Sequence, residues 1–305
     1  MTTSMQYFML IAREQSIVRA AELLYITPQN LSNHIRRLEK EYGVLFERYP
    51  HFRLTPAGEA LLSTAQQIQA LEEGLKVQLQ ELENEMVGSL NFGIHPLRAH
   101  IVLPGVMERY TAAFPNVHVT FHNYNMATNI RALQNGELDA FFGVDTPQLP
   151  EFCIEPLKTE PIWFVAARGL LEEQGISEEE ETIEPERLAQ FRLYLSPKDS
   201  HIRPKLDLFL EQEGIAVQEA ITISNFSLQM TFASQGKGAC FTPGTVLSVM
   251  DGMNRTLPEE RQLRALKVEG LNAMTNLAFV YHRLAYRSAP LTGFLHAFQE
   301  TLKEI

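Results

Sequence analysis

The stretch from Ser16 to Arg48, SIVRAAELLYITPQNLSNHIRRLEKEYGVLFER, constrains this chain more than any other. Ile17, Ala20, Ala21 and Leu24 recur at helical spacing, as do Leu31, Ile35 and Leu38, so two helices with one buried face each are expected. Ser16 is a natural N-cap for the first helix. Thr27 followed by Pro28 supplies a cap and a first-turn proline for the second, across a tight turn. With Leu31, Ile35 and Leu38 turned inward and about 100° of rotation per residue, Gln29, Ser32, Asn33 and Arg36 take the outer side, flanked by Asn30 and Arg37. Amides on such a face bond adenine bidentately and Arg bonds guanine bidentately, which makes base reading the functional alternative to an ordinary solvated face.

The segment AAELLYITPQNLSNHIRRLEKEYGVLFER, followed by RLTPAGEALL, resembles the winged helix-turn-helix of LysR-type transcriptional regulators over residues 1 to about 60. The resemblance lies in the order and combination of Ala20-Ala21, Leu31-Ser32, Ile35, Leu38-Glu39, Gly43, Leu45-Phe46, Arg48 and Leu54-Thr55-Pro56-Ala57-Gly58. Pro28-Gln29 inverts the commoner order of that pair, and the interval from Gly43 to Leu45 is shorter than usual. The wing carries Tyr49, Pro50, His51 and Phe52 where arginines are frequent. The resemblance implies double-stranded DNA as a partner, with Gln29, Asn33 and Arg36 toward bases and Ser32 and Arg37 toward phosphates. Asn30 and Arg53 complete the implied contact set. A dimer that assembles further into a tetramer is implied as well.

Charge supports that division of labour. Residues 1–58 hold seven Lys or Arg against five Glu, a net +2, so the rest of a chain with net charge −11 carries −13. A weakly basic reader on an acidic body needs more than one copy to hold DNA firmly. With 305 residues and 45% hydrophobic content, the chain can bury more than one core. No apolar run approaches the roughly 20 residues of a membrane span, and Met1–Leu10 lacks the pattern of a signal peptide, so a cytoplasmic location is expected.

Ser4–Arg13 reads as a helix packed behind the helix-turn-helix, and Val44–Phe46 with Phe52–Leu54 as the wing strands. From Thr55-Pro56 a long helix is expected to about Met86, with a heptad through Leu61, Ala65, Ile68, Leu75, Leu79, Leu82 and Met86. A helix of that length needs a partner, which makes it a dimerisation linker between two DNA readers. The expected division is residues 1–58 for DNA binding, 59–87 for the linker and 88–305 for effector binding. Its first lobe takes about 88–162 and 269–305, and its second about 163–268.

After Gly88 strands and helices alternate, which predicts α/β, and the resemblance implies a fold class of α/β with an N-terminal all-α winged helix-turn-helix, a long linker helix and a two-lobed effector domain that resembles periplasmic binding proteins. Ligands in such folds sit at strand carboxyl ends. That places His95, Leu97, Arg98, Asn123 and Asp145 on one lip, with Ser196, Lys198, His201, Phe226 and Thr242 on the other. His95, Arg98, Lys198 and His201 favour a small anionic effector such as a carboxylate.

Other chemistry finds little support. Asp199, Ser200 and His201 adjoin in sequence without a GxSxG elbow, and Gly236-Lys237-Gly238 lacks P-loop spacing, so no catalytic residue and no cofactor is implied. His118 and His122 share a strand face without other ligands, and a metal is not expected. Cys153 and Cys240, far apart, read as buried thiols. The acidic run Glu178–Glu181 reads as a solvated loop. The alternative to a regulator is a solute-binding or enzymatic α/β protein with an incidental helical N-terminus.

Overall fold

The computed structural model describes residues 1–47, 51–82 and 88–305, and leaves the side chains at 70, 73, 77 and 80–82 undescribed. Helices α1 (Thr3–Glu14), α2 (Ile17–Leu23) and α3 (Pro28–Tyr42) enclose a core of Phe8, Ile11, Ala20, Ala21, Leu31, Ile35 and Leu38. Both expected caps form: Ser16 Oγ accepts from Arg19 N–H at 3.3 Å and Thr27 Oγ1 from Asn30 N–H at 3.2 Å. Gly43, at φ 88°, ends α3 in a conformation that favours glycine.

The wing is a two-residue ladder, β1 (Phe46–Glu47) against β2 (Arg53–Leu54), shorter than the expected Val44–Phe46 and Phe52–Leu54. Helix ends claim the backbone before it. Leu45 N–H donates to Glu39 Oε1 at 3.3 Å, Leu45 C=O accepts from Thr55 N–H at 3.0 Å, and Val44 C=O accepts from the Thr55 hydroxyl at 2.6 Å. The expected turn residues Tyr49 and Pro50, and Arg48, lie outside the described residues.

Helix α4 (Pro56–Leu82) starts where Thr55 Oγ1 caps Gly58 N–H at 3.0 Å. A Cβ on Gly58 would stand 2.2 Å from Leu45 C=O, so only glycine lets the helix reach the wing. These contacts give Leu38-Glu39, Leu45-Phe46 and Leu54-Thr55-Pro56-Ala57-Gly58 their physical content. Leu61 and Ala65, expected on the pairing seam, are buried at the DNA-binding end of the helix, Leu61 in the core of that domain. The apolar line left uncovered is Leu71, Leu75 and Leu79. Leu82, as a side chain, and Met86 lie outside the described residues.

The first lobe is built from β3 (Gly88–Gly93), α5 (Pro96–Ala113), β4 (Val117–His122), α6 (Met126–Gln134) and β5 (Ala140–Val144). Its sheet runs β4-β3-β5-β12-β6, with β6 (Phe152–Ala167) and β12 (Met274–His282) antiparallel. Helix α11 (Ala289–Glu304) covers it, and Phe294 and Phe298 pack on Phe92 and Phe279. In the second lobe α7 (Arg168–Glu173) and β7 (Thr182–Ile183) precede β8 (Arg192–Leu195), α8 (Arg203–Gln212), β9 (Gln218–Thr222), α9 (Phe226–Ala233) and β10 (Ala239–Pro243). Helix α10 (Leu247–Asn254) and β11 (Leu263–Val268) complete it.

Strand β6 serves both lobes. Phe152–Pro161 pair with β12, Ile162–Val165 with β10, and Phe164–Ala167 with β11. At about 3.3 Å per residue its 16 residues run about 50 Å through the molecule. The chain returns to the first lobe along β12, so the lobes meet at two backbone crossings. The acidic run departs from a merely solvated loop: Arg264 donates to the carbonyls of Ser177, Glu178 and Glu180 at 2.7–3.0 Å, and Arg187 pairs with Glu180 at 3.5 Å.

Candidate DNA-binding face and inter-lobe cleft

Helix α3 buries Leu31, Ile35 and Leu38, which leaves Gln29, Asn30, Asn33, Arg36 and Arg37 exposed and Ser32 half-buried. Asn33 Oδ1 accepts from Arg36 Nη1 at 3.3 Å, so the two side chains stand together one turn apart. His34 ties the other edge of the helix to α1, with its Nδ1 2.9 Å from Ser4 Oγ and its ring edge-on to Tyr7. That anchoring fixes which side of α3 faces outward. In the wing, Arg53 pairs with Glu47 at 2.5 Å, an exposed contact of the kind worth about 0–1 kcal/mol.

Of the four expected cations, Arg98 is committed to an ion pair at the lobe junction. Arg98, 4% exposed at the start of α5, donates to Glu160 of β6 and to Thr245 Oγ1, the latter at 2.5 Å. Glu160, 1% exposed, also accepts from the backbone N–H and hydroxyl of Thr245 and from Thr275 Oγ1 at 3.1 Å. Burial alone would raise its pKa, but the Arg98 charge and the bonds from Arg98 and Thr245 hold it below the ordinary carboxylate value. Arg98, read from the sequence as a cation for the ligand, is thus occupied within the protein. Sequence reasoning missed Glu160, Thr245 and Thr275, whose distance along the chain leaves no local signal.

Asp145, at φ 49°, accepts from Lys205 Nζ at 2.7 Å and from Asn276 N–H at 3.0 Å, and so joins α8 of the second lobe to the end of β5. His95 is exposed and caps α5 through Nδ1, accepting from Leu97 N–H at 3.4 Å; partial desolvation and then Arg98 lower its pKa. Leu97 packs against the second lobe's core, while Asn123 and Lys198 are exposed. Ser196, Phe226 and Thr242 are buried, and the Phe226 ring lies 6.0 Å from that of His201. Ser200 Oγ accepts from Arg203 N–H at 3.3 Å, which makes it a cap for α8.

Burial, then Arg98 and Lys205 against Asp145 and Glu160, push the pKa of His201 down to about 4 from 6.5. The unfolded chain therefore takes up a proton first as pH falls. Stability should decline between about pH 6.5 and pH 4, by at most about 1.4 kcal/mol per pH unit from this group. Urea unfolding across that range should show a shallower decline for His201→Gln; an unchanged slope would assign the acid sensitivity elsewhere.

Of the two cysteines, Cys240 is fully buried, with its thiol pKa pushed up by desolvation, and Cys153 is half-buried instead of buried as expected. His118 is exposed and His122 half-buried, 3.4 Å from Asn91 Oδ1. Among the described residues no group of three or more His, Cys, Asp or Glu side chains is placed to hold a metal ion, and no helix is long and apolar enough to cross a membrane.

A helix-turn-helix with an exposed amide and guanidinium face, carried on a long helix ahead of a two-lobed α/β domain, defines a DNA-binding regulator with a sensing domain. The profile described as "Bacterial regulatory helix-turn-helix protein, lysR family" matches residues 2–59, and "LysR substrate binding domain" matches residues 83–303. The chain belongs to the LysR family of transcriptional regulators. It is 26% identical to the uncharacterized HTH-type transcriptional regulator YcgK of Bacillus subtilis, over 98% of this chain and 94% of that one. It is 28% identical to the HTH-type transcriptional regulator CysB of Haemophilus influenzae over 46% of this chain and 44% of that one. In fold it is similar to full-length OxyR C199D from Pseudomonas aeruginosa (TM-score 0.72, 20% identity, 98% and 95% of the chains covered). It is also similar to full-length CbnR complexed with its target DNA (TM-score 0.57, 18% identity, 99% and 98% covered). The members of this family are regulators, not enzymes, which sets aside the solute-binding or enzymatic alternative.

Proposed function

We propose that α3 reads the operator through Gln29, Asn33 and Arg36, that Ser32, Arg37 and Arg53 hold phosphates beside Asn30, and that a small effector between the two lobes sets the geometry of a dimer or tetramer. The carrying observation is the exposed Asn33–Arg36 pair on a helix whose opposite side is locked by His34 and Leu31. Residues 1–58, 59–87 and 88–305 are the DNA-binding, linker and effector units in this reading, and the protein works in the cytoplasm. The exposed line of Leu71, Leu75 and Leu79 supports self-association, and CbnR's complex with its target DNA is the relevant precedent.

Signal transfer in this reading requires the effector to favour one lobe arrangement over another, since a ligand with equal affinity for both shifts nothing. The face assignment has a direct test. Arg36→Ala should relax preference at one base pair by about 1–3 kcal/mol, whereas Arg37→Ala should weaken all sequences alike and lower the salt slope by about 1. Gel shifts with the chain's own upstream region and single-base variants distinguish the two, and the reverse pattern would show α3 rotated against this reading.

A further inference from the structure

Three of the cations around the cleft are already engaged. Arg98 is paired with Glu160, Lys205 with Asp145, and Arg203 with Asp207 and Glu219, while Lys198 stands exposed. The carboxylates are engaged by the same pairs, so a cationic ligand finds no free partner in them either. At the helix starts His95, Asn125, Ser200 and Asn225 each accept one first-turn N–H of their own helix.

What stands unpartnered at the junction is uncharged. Thr242 Oγ1, with Thr242 0% exposed, has no hydrogen-bond partner in the structure. Two residues beyond the pairing of Cys240 with Tyr194 on parallel strands, Thr242 and Ser196 fall at matching positions at the carboxyl ends of β10 and β8. Gln229, 1% exposed, donates from Nε2 to Ser196 Oγ at 3.0 Å and to Ile223 C=O at 2.6 Å, which fixes its amide orientation and leaves Oε1 unpaired. His201 Nε2 is likewise buried and unpaired, and across the cleft so is Thr146 Oγ1 beside Asp145. Buried polar atoms without partners are costly, and a bound group at this junction would satisfy them.

We propose that the effector is an uncharged small molecule carrying hydroxyl or carboxamide groups, bound through Thr242, Gln229 and His201. This rests on the reading that the inter-lobe cleft is the effector site. A carboxylate here would find Arg98, Arg203 and Lys205 already paired, whereas an amide N–H or hydroxyl would donate to Gln229 Oε1 and exchange a hydrogen bond with Thr242.

The test uses the full-length protein and matched acid–amide pairs: benzoate and benzamide, nicotinate and nicotinamide, succinate and succinamide. Thermal unfolding and the emission of Trp163, the residue facing Thr242 across the β6–β10 pairing, report binding. At least one amide should raise the Tm at millimolar concentration and bind about tenfold or more tightly than its acid. Thr242→Val should weaken that amide about two- to tenfold without lowering the Tm of the unliganded protein, since no hydrogen bond is lost, and Thr242→Ser should retain binding. Stabilisation by acids alone that is lost in Thr242→Val would overturn the uncharged class and keep the cleft. Binding by no probe, or binding indifferent to Thr242→Val, would overturn the cleft assignment with it.

Discussion

Glu160→Gln should cost about 3–5 kcal/mol of folding stability, because it leaves the Arg98 guanidinium buried without its counter-charge. Arg98 and Glu160 are 4% and 1% exposed, so water cannot replace the lost partner. The carboxylate also accepts from Thr245 and Thr275, and a neutral amide satisfies those donors less well. Replacing both members of the pair by Met should recover much of the loss, since paired burial against apolar burial is close to neutral. Urea unfolding reads both results; a loss below about 1 kcal/mol for Glu160→Gln would mean that the pair is hydrated. The sign with pH follows from the lowered carboxylate pKa: the contribution is full above the unfolded value of 4.5 and fades as pH falls through the folded one. Arg98 belongs to α5, Glu160 and Thr275 to the strands that cross between lobes, and Thr245 to the turn after β10. Loosening this junction should also blunt any effector response in DNA binding.

That knot shows where the sequence ceases to be readable. Ser16, Thr27 and Gly43 act through neighbours within four residues, so their caps follow from local chemistry. The inward faces of α3 and α11 follow from 3.6-residue periodicity. Strand β6 obeys neither rule. Pro156 and Pro161 interrupt it, Glu155, Lys158 and Glu160 break its alternation, and its two halves pair with different strands in different lobes. Cleft residues are legible as positions after strands, but their partners are not. Arg98 meets Thr245 across 147 positions, and Arg264 gathers the acidic run from a distant strand. A cation read alone suggests an anionic ligand, whereas the same cation beside its buried carboxylate suggests a structural tie. Helix α10 and strand β11 have no counterpart in the sequence reading; α10 is short and carries Gly252, and β11 is defined only by its pairing with β6 and β7.

Leu75→Glu should abolish stable self-association and reduce affinity for a two-half-site operator by about 10²–10⁴-fold, the range that linked binding contributes. Leu71, Leu75 and Leu79 recur every four residues with 54%, 54% and 53% of their surface exposed, whereas Leu61 and Ala65 are already covered. The apolar seam available to a second copy therefore begins beyond the DNA-binding domain. In a symmetric pair the introduced carboxylate would be buried in the apolar seam twice, once from each copy, so the substitution acts on the interface and spares the fold, as unchanged urea stability of the monomer should show. Sedimentation velocity should give a monomer, and gel shifts on a single half-site should be nearly unaffected, because the α3 face is intact. That contrast between one and two half-sites is the informative measurement: the first 58 residues carry a net charge of only +2, too little to hold DNA firmly without a second reader. Equal losses on both probes would place Leu75 in the DNA-binding domain's own support, and undiminished binding to the full operator would place the dimer interface elsewhere on the chain.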